Sequence, residues 1–306
     1  MKRVLTHWIA PLLLLVVFNS CGNNNNEQGP TDTLLTGTIN ISADESFKPV
    51  LDSEIQVFQS LNPKARIKVQ YKPEAECLKD LAVDSIRIVI ATRSFSKFEQ
   101  NLVQDSLHVA ASQLTVAYDA IAVIVNPEST DTTFTMQQLK DLLTGRSTKK
   151  LLPVFDGLSA TSTVRFVMDS VLRGQPLSPN VRAAQSSEGV IDYVSKTKDA
   201  VGFIGVSWVG NPQDSTQLSY LDRIRVAGIE HPLKPSVFVT PAQYNIYYRR
   251  YPLVRDLVVN LKESHNGLGH GFLNYLTTQS GQLIFNRAFL MPARMNFAIR
   301  SASLKR

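Results

Sequence analysis

The chain has 306 residues, 43% apolar and 19% charged, with 32 Lys and Arg against 26 Asp and Glu and only 2 Cys. Ordinary apolar content and scarce cysteine exclude a disordered, collagen-like or disulfide-framework protein. A formal charge of +6 falls well short of the dense basic clustering that nucleic-acid binding needs, and the length suits two domains of about 100–150 residues each.

In chain order, the first feature is an address. Lys2 and Arg3 precede an apolar run over 9–18, closed by Asn19 and Ser20, which is the pattern of a secretion signal over 1–20. The run is too short for the roughly 18–20 apolar residues of a membrane span. Phe18-Asn19-Ser20-Cys21-Gly22 resembles a relaxed bacterial lipobox, in which Cys21 carries the lipid and becomes the mature N-terminus. Ordinary cleavage, leaving a soluble envelope protein, is the alternative. Residues 21–36, with Asn23 to Asn26, Gly29 and Pro30, read as a flexible tether. Processing removes two basic residues and lowers the formal charge to about +4. Cys77 is then the remaining thiol, so no intramolecular disulfide is expected.

The body alternates strand and helix patterns, an α/β arrangement. Strands are expected over 38–42, 66–71, 86–91, 120–127, 152–155 and 200–206. Phe47, Val50, Leu51, Ile55, Phe58 and Leu61 recur at helical spacing before Pro63. Further helices are expected over 78–84, from Thr135 to Gly145, and over 164–173, 190–195, 253–262 and 272–277.

Enzymatic signatures are weak. His265 and His270 are five apart rather than the four of a helical zinc pair, and Gly205-Val206-Ser207-Trp208-Val209-Gly210 has the wrong spacing for a nucleophile elbow. The pattern therefore predicts neither an enzyme nor a metal or cofactor. Anion binding is better supported, because a helix start offers unpaired N–H groups and a positive dipole end. Two starts qualify: Asp44-Glu45-Ser46-Phe47, and Ser159-Ala160-Thr161-Ser162-Thr163-Val164-Arg165. Plain capping explains a single hydroxyl; four hydroxyls within five residues exceed what a cap needs. Arg93 follows the buried strand 86–91, at the carboxyl end where α/β proteins bind ligands.

These segments together resemble the phosphate-binding substrate-capture proteins of ABC transporters, in a lipoprotein branch. The resemblance covers roughly 38–292. It rests on Ser46-Phe47, Ala91-Thr92-Arg93-Ser94 with Glu99, the run 119–127, Phe134-Thr135 with Leu139 and Gly145, and Thr161-Ser162-Thr163. Ala200-Val201-Gly202-Phe203-Ile204-Gly205, Tyr251-Pro252-Leu253-Val254-Arg255, Gly281-Gln282 and Leu290-Met291-Pro292 continue it.

What the resemblance implies is a two-lobed, type II periplasmic binding protein with two crossover hinge strands, near 118–126 and 237–248. Residues 37–119 and 240–306 would form lobe I and 120–239 lobe II. The phosphate ligands implied are Ser46, Phe47, Arg93, Thr161, Ser162, Thr163 and Arg165. The implied partners are inorganic phosphate or a related oxyanion, an ABC-type permease and, through the lipid, the membrane of the periplasmic compartment. A monomer is implied. Two departures bear on the ligand. Phe155 and Gly157 stand where the family carries an arginine, and Pro73-Glu74-Ala75-Glu76-Cys77 replaces its glycine- and serine-rich loop. Glu74 would then accept a proton-borne hydrogen bond from phosphate, or pair internally with Arg93 or Arg165, or simply be solvated. Molybdate, sulfate or an organic phosphate are alternative ligands, and an envelope sensor or scaffold with a degenerate cleft is the alternative function.

Overall fold

The computed structural model describes residues 31–294. The expected leader, Cys21 and the tether through residue 30 lie outside the described residues.

The chain opens with β1 (Gly37–Asp44), a 3-10 turn (Glu45–Phe47) and α1 (Lys48–Leu61). Pro49 in the first turn favours this helix start, and Val50, Leu51, Ile55 and Phe58 form its buried face. Next come β2 (Ala65–Lys72), α2 (Glu74–Lys79), β3 (Ile86–Ala91), α3 (Lys97–Leu107) and β4 (Ser112–Val125). The middle of the chain holds β5 (Thr133–Phe134), α4 (Met136–Leu143), β6 (Leu152–Phe155), α5 (Ser162–Phe166), β7 (Arg182–Ala183), α6 (Ser187–Lys196), β8 (Ala200–Gly205) and α7 (Ser215–Leu221). A π-helical stretch, Val167–Leu172, prolongs α5. The last third holds β9 (Arg225–Val226), β10 (Gly228–His231), β11 (Lys234–Val239), α8 (Gln243–Tyr247), β12 (Val254–Leu261), α9 (Leu268–Leu276), α10 (Gln279–Arg287) and β13 (Met291–Pro292).

One ten-stranded sheet runs β2-β1-β3-β12-β4-β8-β6-β7, with β9 and β13 also paired to β4, and β11-β10-β5 form a smaller one. β4 is the shared element. Its first part pairs antiparallel with β12 and its last five residues pair antiparallel with β8. Beside this change of partner the chain returns at Leu253, whose carbonyl accepts from the Ile121 N–H at 2.9 Å. Two main cores flank the change. Ile41, Phe47, Leu51 and Phe58 pack with Leu257, Val259, Phe272 and Phe285 on one side. On the other, Ile121, Val123, Phe155 and Phe203 pack with Ile246, Tyr251 and Leu253, although these last three fall in the segment that the sequence groups with lobe I.

One expected element is wrong. Residues 253–262 are a strand, not a helix. β12 lies between β3 and β4 and is covered on both faces, so its apolar residues are nearly continuous and mimic the i, i+4 spacing of a buried helix. Three β-branched residues, Val254, Val258 and Val259, fit the pleat.

The described chain begins on the first half, where Asp32 accepts from the Leu268 N–H at 2.7 Å and lies 3.0 Å from His265 Nε2. Here α9 needs a glycine, since a Cβ on Gly271 would sit 1.7 Å from the Leu34 carbonyl oxygen. Gly271→Ala is expected to lift the 32–36 segment and destabilise the fold by about 1–3 kcal/mol. Urea unfolding measures the loss, and faster limited proteolysis near Thr33–Leu35 locates it.

Candidate functional site

Four sequence-selected residues meet at one buried cation that the sequence reading did not select. Arg255, at the start of β12, has a side chain 1% exposed, and its Nε donates to Asp119 Oδ2 at 2.7 Å. Its Nη1 donates to Ser162 Oγ at 2.9 Å and to Thr163 Oγ1 at 3.3 Å. Ser46 Oγ lies 3.2 Å from Ser162 Oγ, and the guanidinium stands over the Phe47 ring at 5.4 Å. Nη2 has no hydrogen-bond partner among the described residues. Gly205 lets the group approach, because a Cβ there would lie 3.1 Å from both Nη2 and the Ser46 carbonyl oxygen. Burial alone works against the charged guanidinium. The carboxylates of Asp119, Asp44 and Asp156 outweigh it and hold Arg255 above the ordinary arginine range.

Local structure explains the convergence. Asp44 caps the 3-10 turn after β1 by accepting from the Ser46 N–H at 2.9 Å, which fixes Ser46 at the cleft. Thr161 caps α5 by accepting from the Val164 N–H, so its hydroxyl is used as a cap while the next two point to Arg255. Ser207 Oγ donates to the Ser46 carbonyl at 3.0 Å and secures the turn from the other half.

The remaining expected ligands lie elsewhere in the arrangement. Arg165 donates from Nε to Glu74 Oε2 at 2.5 Å and from Nη2 to Thr92 Oγ1 at 2.6 Å. Glu74 is buried and also accepts from the Thr92 N–H and hydroxyl at 2.8 and 2.6 Å. Burial pushes its carboxyl up, but Arg165 and Thr92 outweigh that and hold it below the usual range. Of the three possibilities for this loop the structure contains the internal pair with Arg165. Arg93 is held by Glu99 through two bonds of 2.7 Å, and Glu76 pairs with Lys79 on the surface. Phe155 is core, stacked on Phe203 at 4.6 Å. Asp119 did carry a signal, as the single charge in the strand-like run of β4, whereas Arg255 is followed directly by Asp256 and reads as half of an exposed charge pair.

The family model for the PBP superfamily domain matches residues 28–280. The chain belongs to that superfamily. These are solute-binding proteins rather than enzymes. A phosphate-binding protein, PstS, from Pseudomonas aeruginosa is 19% identical over 282 residues, 84% of each chain. A putative phosphate ABC transporter substrate-binding protein from Clostridium perfringens, solved with bound phosphate, is 20% identical with a TM-score of 0.70, over 84% of this chain and all of that one. An ABC-type phosphate transport receptor from Vibrio cholerae is 17% identical with a TM-score of 0.60, over 83% of this chain and 99% of its own. At these identities the likeness establishes the fold, the mixed α/β type II periplasmic-binding-protein fold.

Two acidic residues flank the Arg255 cluster at the end of β1 and the turn after it. Asp44 is buried and pushed up to about 6, chiefly by desolvation, with Arg255 opposing. Glu45 is pushed up to about 7 by desolvation, opposed by Ser187, whose N–H and hydroxyl it accepts at 3.2 and 2.8 Å. An acid with a raised folded-state value holds its proton more firmly when folded. Its contribution is therefore present at low pH and lost as pH rises through about 4.5 to 7. The urea midpoint is expected to fall between pH 5 and pH 8, with Glu45 contributing up to about 3 kcal/mol. Glu45→Gln, which keeps an acceptor for Ser187, flattens that slope.

Proposed function

We propose that this chain is an envelope solute-binding protein that captures an oxyanion, inorganic phosphate first among them, and delivers it to an ABC-type permease. One observation carries the reading: Ser162 and Thr163 at one helix start bond the buried Arg255 guanidinium, and the Ser46 hydroxyl from a second, distant helix start meets Ser162 there. A guanidinium flanked by hydroxyl donors is the chemistry that recognises phosphate and its relatives. The phosphate-binding relatives of this fold support the choice of ligand. In this reading the halves are two lobes, one built on β1–β3 and the other on β6–β8, hinged where β4 changes partner and where the chain returns at Leu253. Cys21 would carry the lipid that holds a monomer to the membrane on the periplasmic side. Among the described residues no helix is long and apolar enough to cross a membrane.

A second reading is favoured by the pairing of the cations. Arg255 with Asp119, Arg165 with Glu74 and Arg93 with Glu99 are each neutralised within the protein. This supports a sensor or scaffold whose cleft holds no free oxyanion. Calorimetric titration of the mature protein with phosphate, sulfate and molybdate separates the two. Capture predicts submillimolar or tighter phosphate binding, at least tenfold weaker in Ser162→Ala/Thr163→Val and in Arg255→Lys. Flat titrations with all three anions favour the sensor.

A further inference from the structure

The groups gathered at Arg255 are sealed from solvent: Arg255 is 3% exposed, and Ser46, Ser162 and Thr163 are 0% exposed. A solute reaches them only if the two halves part, so the contacts that hold the halves together here bear directly on capture. The contact made by Glu74 has the chemistry of a bound ligand. Glu74 opens α2 in the first half, and its carboxylate accepts from the Thr92 N–H at 2.8 Å and the Thr92 hydroxyl at 2.6 Å, just beyond β3. From α5 in the second half, Arg165 donates to it through Nε at 2.5 Å and Nη2 at 3.4 Å. A backbone N–H, a hydroxyl and a guanidinium fork closing on one anion form the donor set that recognises an oxyanion. Here the anion belongs to the chain itself. It is enclosed as a ligand is: the Glu74 side chain is 2% exposed, whereas Arg165 is 34% exposed and also reaches the surface residue Asp169 at 3.3 Å. The adjoining Ala75 N–H donates to the Ala160 carbonyl at 3.0 Å, one residue before the Thr161 cap, so the same contact fastens the helix start that carries Ser162 and Thr163.

We propose that Glu74 is an internal ligand, a carboxylate that occupies an oxyanion site built from Thr92 and Arg165 and thereby latches the two halves over Arg255. Parting the halves strips Arg165 of this partner, and an incoming oxyanion competes with Glu74 for it. This rests on the oxyanion-capture reading and adds to it an inhibitor carried in cis. Latched molecules are unavailable to the solute, so the apparent affinity falls with the fraction that is latched. The geometry also supplies a probe. Glu74→Ala removes Cγ, Cδ and both carboxylate oxygens, which are the heavy atoms of an acetate ion, so free acetate fits the vacated place and restores the latch.

The test titrates the mature protein calorimetrically with inorganic phosphate as wild type, Glu74→Ala and Glu76→Ala, in sodium acetate and in sodium chloride of equal concentration. Glu76 lies on the same helix and pairs with Lys79 at the surface, so its variant removes one negative charge without touching the latch. Glu74→Ala is expected to bind phosphate at least tenfold tighter than wild type in chloride, and Glu76→Ala to stay within about twofold of it. Acetate should weaken phosphate binding in Glu74→Ala but not in wild type, and adding Arg165→Gln to Glu74→Ala should abolish the acetate effect. Glu74→Gln keeps the size of the side chain without its charge, and should shift phosphate affinity in the same direction if the alanine variant does not fold. If phosphate binds wild type and both Glu74 variants alike, the latch is overturned while oxyanion capture stands. Binding to the Glu74 variants with none to wild type supports the internal ligand and overturns capture by the natural chain. Flat titrations throughout overturn both.

Discussion

A guanidinium fully removed from water is the constraint around which the centre of this molecule is organised. Such a charge is tolerated only with close counter-charge and satisfied hydrogen bonds, and removing its partner would leave a costly buried ion. Arg255 meets that demand with groups from four separate parts of the chain. Asp119 comes from the adjoining strand β4, Ser162 and Thr163 from the start of α5, Phe47 from the turn after β1, and Gly205 from the end of β8. The ion therefore ties together the two halves that β4 connects. A glycine at 205 is required by the same approach, since any side chain there would meet the guanidinium.

Around that centre, polar contacts join the halves at several further points. Ser46 meets Ser162, the Ala75 N–H donates to the Ala160 carbonyl at 3.0 Å, Glu45 accepts from Ser187, and Glu74 binds Arg165. In two of these contacts a carboxylate of the first half meets a helix start or cation of the second. The cations that a charge inventory would assign to a ligand are consumed in this way. Asp44 and Glu45 are raised in pKa by desolvation, against the opposing pull of Arg255 on the first and of Ser187 on the second. The local sign of the site is thus set by which ions pair internally, not by the small net charge of the chain.

Much of the fold was legible because its signals are local. Strands with continuous apolar runs, such as Ile86–Ala91 and Ala200–Gly205, could be read directly, as could α1 from its apolar spacing and α4 from the Thr135 cap. Where burial on both faces erases periodicity, the reading failed. Residues of β12 keep apolar neighbours at helical spacing whether they form helix or strand, and only pairing between β3 and β4 decides. That error hid Arg255, because a charge on an expected amphipathic helix looks like a solvated face.

Sequence by itself determined the building blocks: the alternating α/β pattern, the two hydroxyl-bearing helix starts and the family resemblance. These follow from spacing and capping, which act over a few residues. Tertiary structure alone decided which charges are free. Arg93 and Arg165 were equal candidates in the sequence, yet Glu99 lies six residues from one and Glu74 ninety-one from the other. Arg255 and Asp119 are 136 residues apart and meet only because β12 and β4 are neighbours in the sheet. Electrostatic partners are chosen by distance in space, and over such separations that distance is a property of the folded chain.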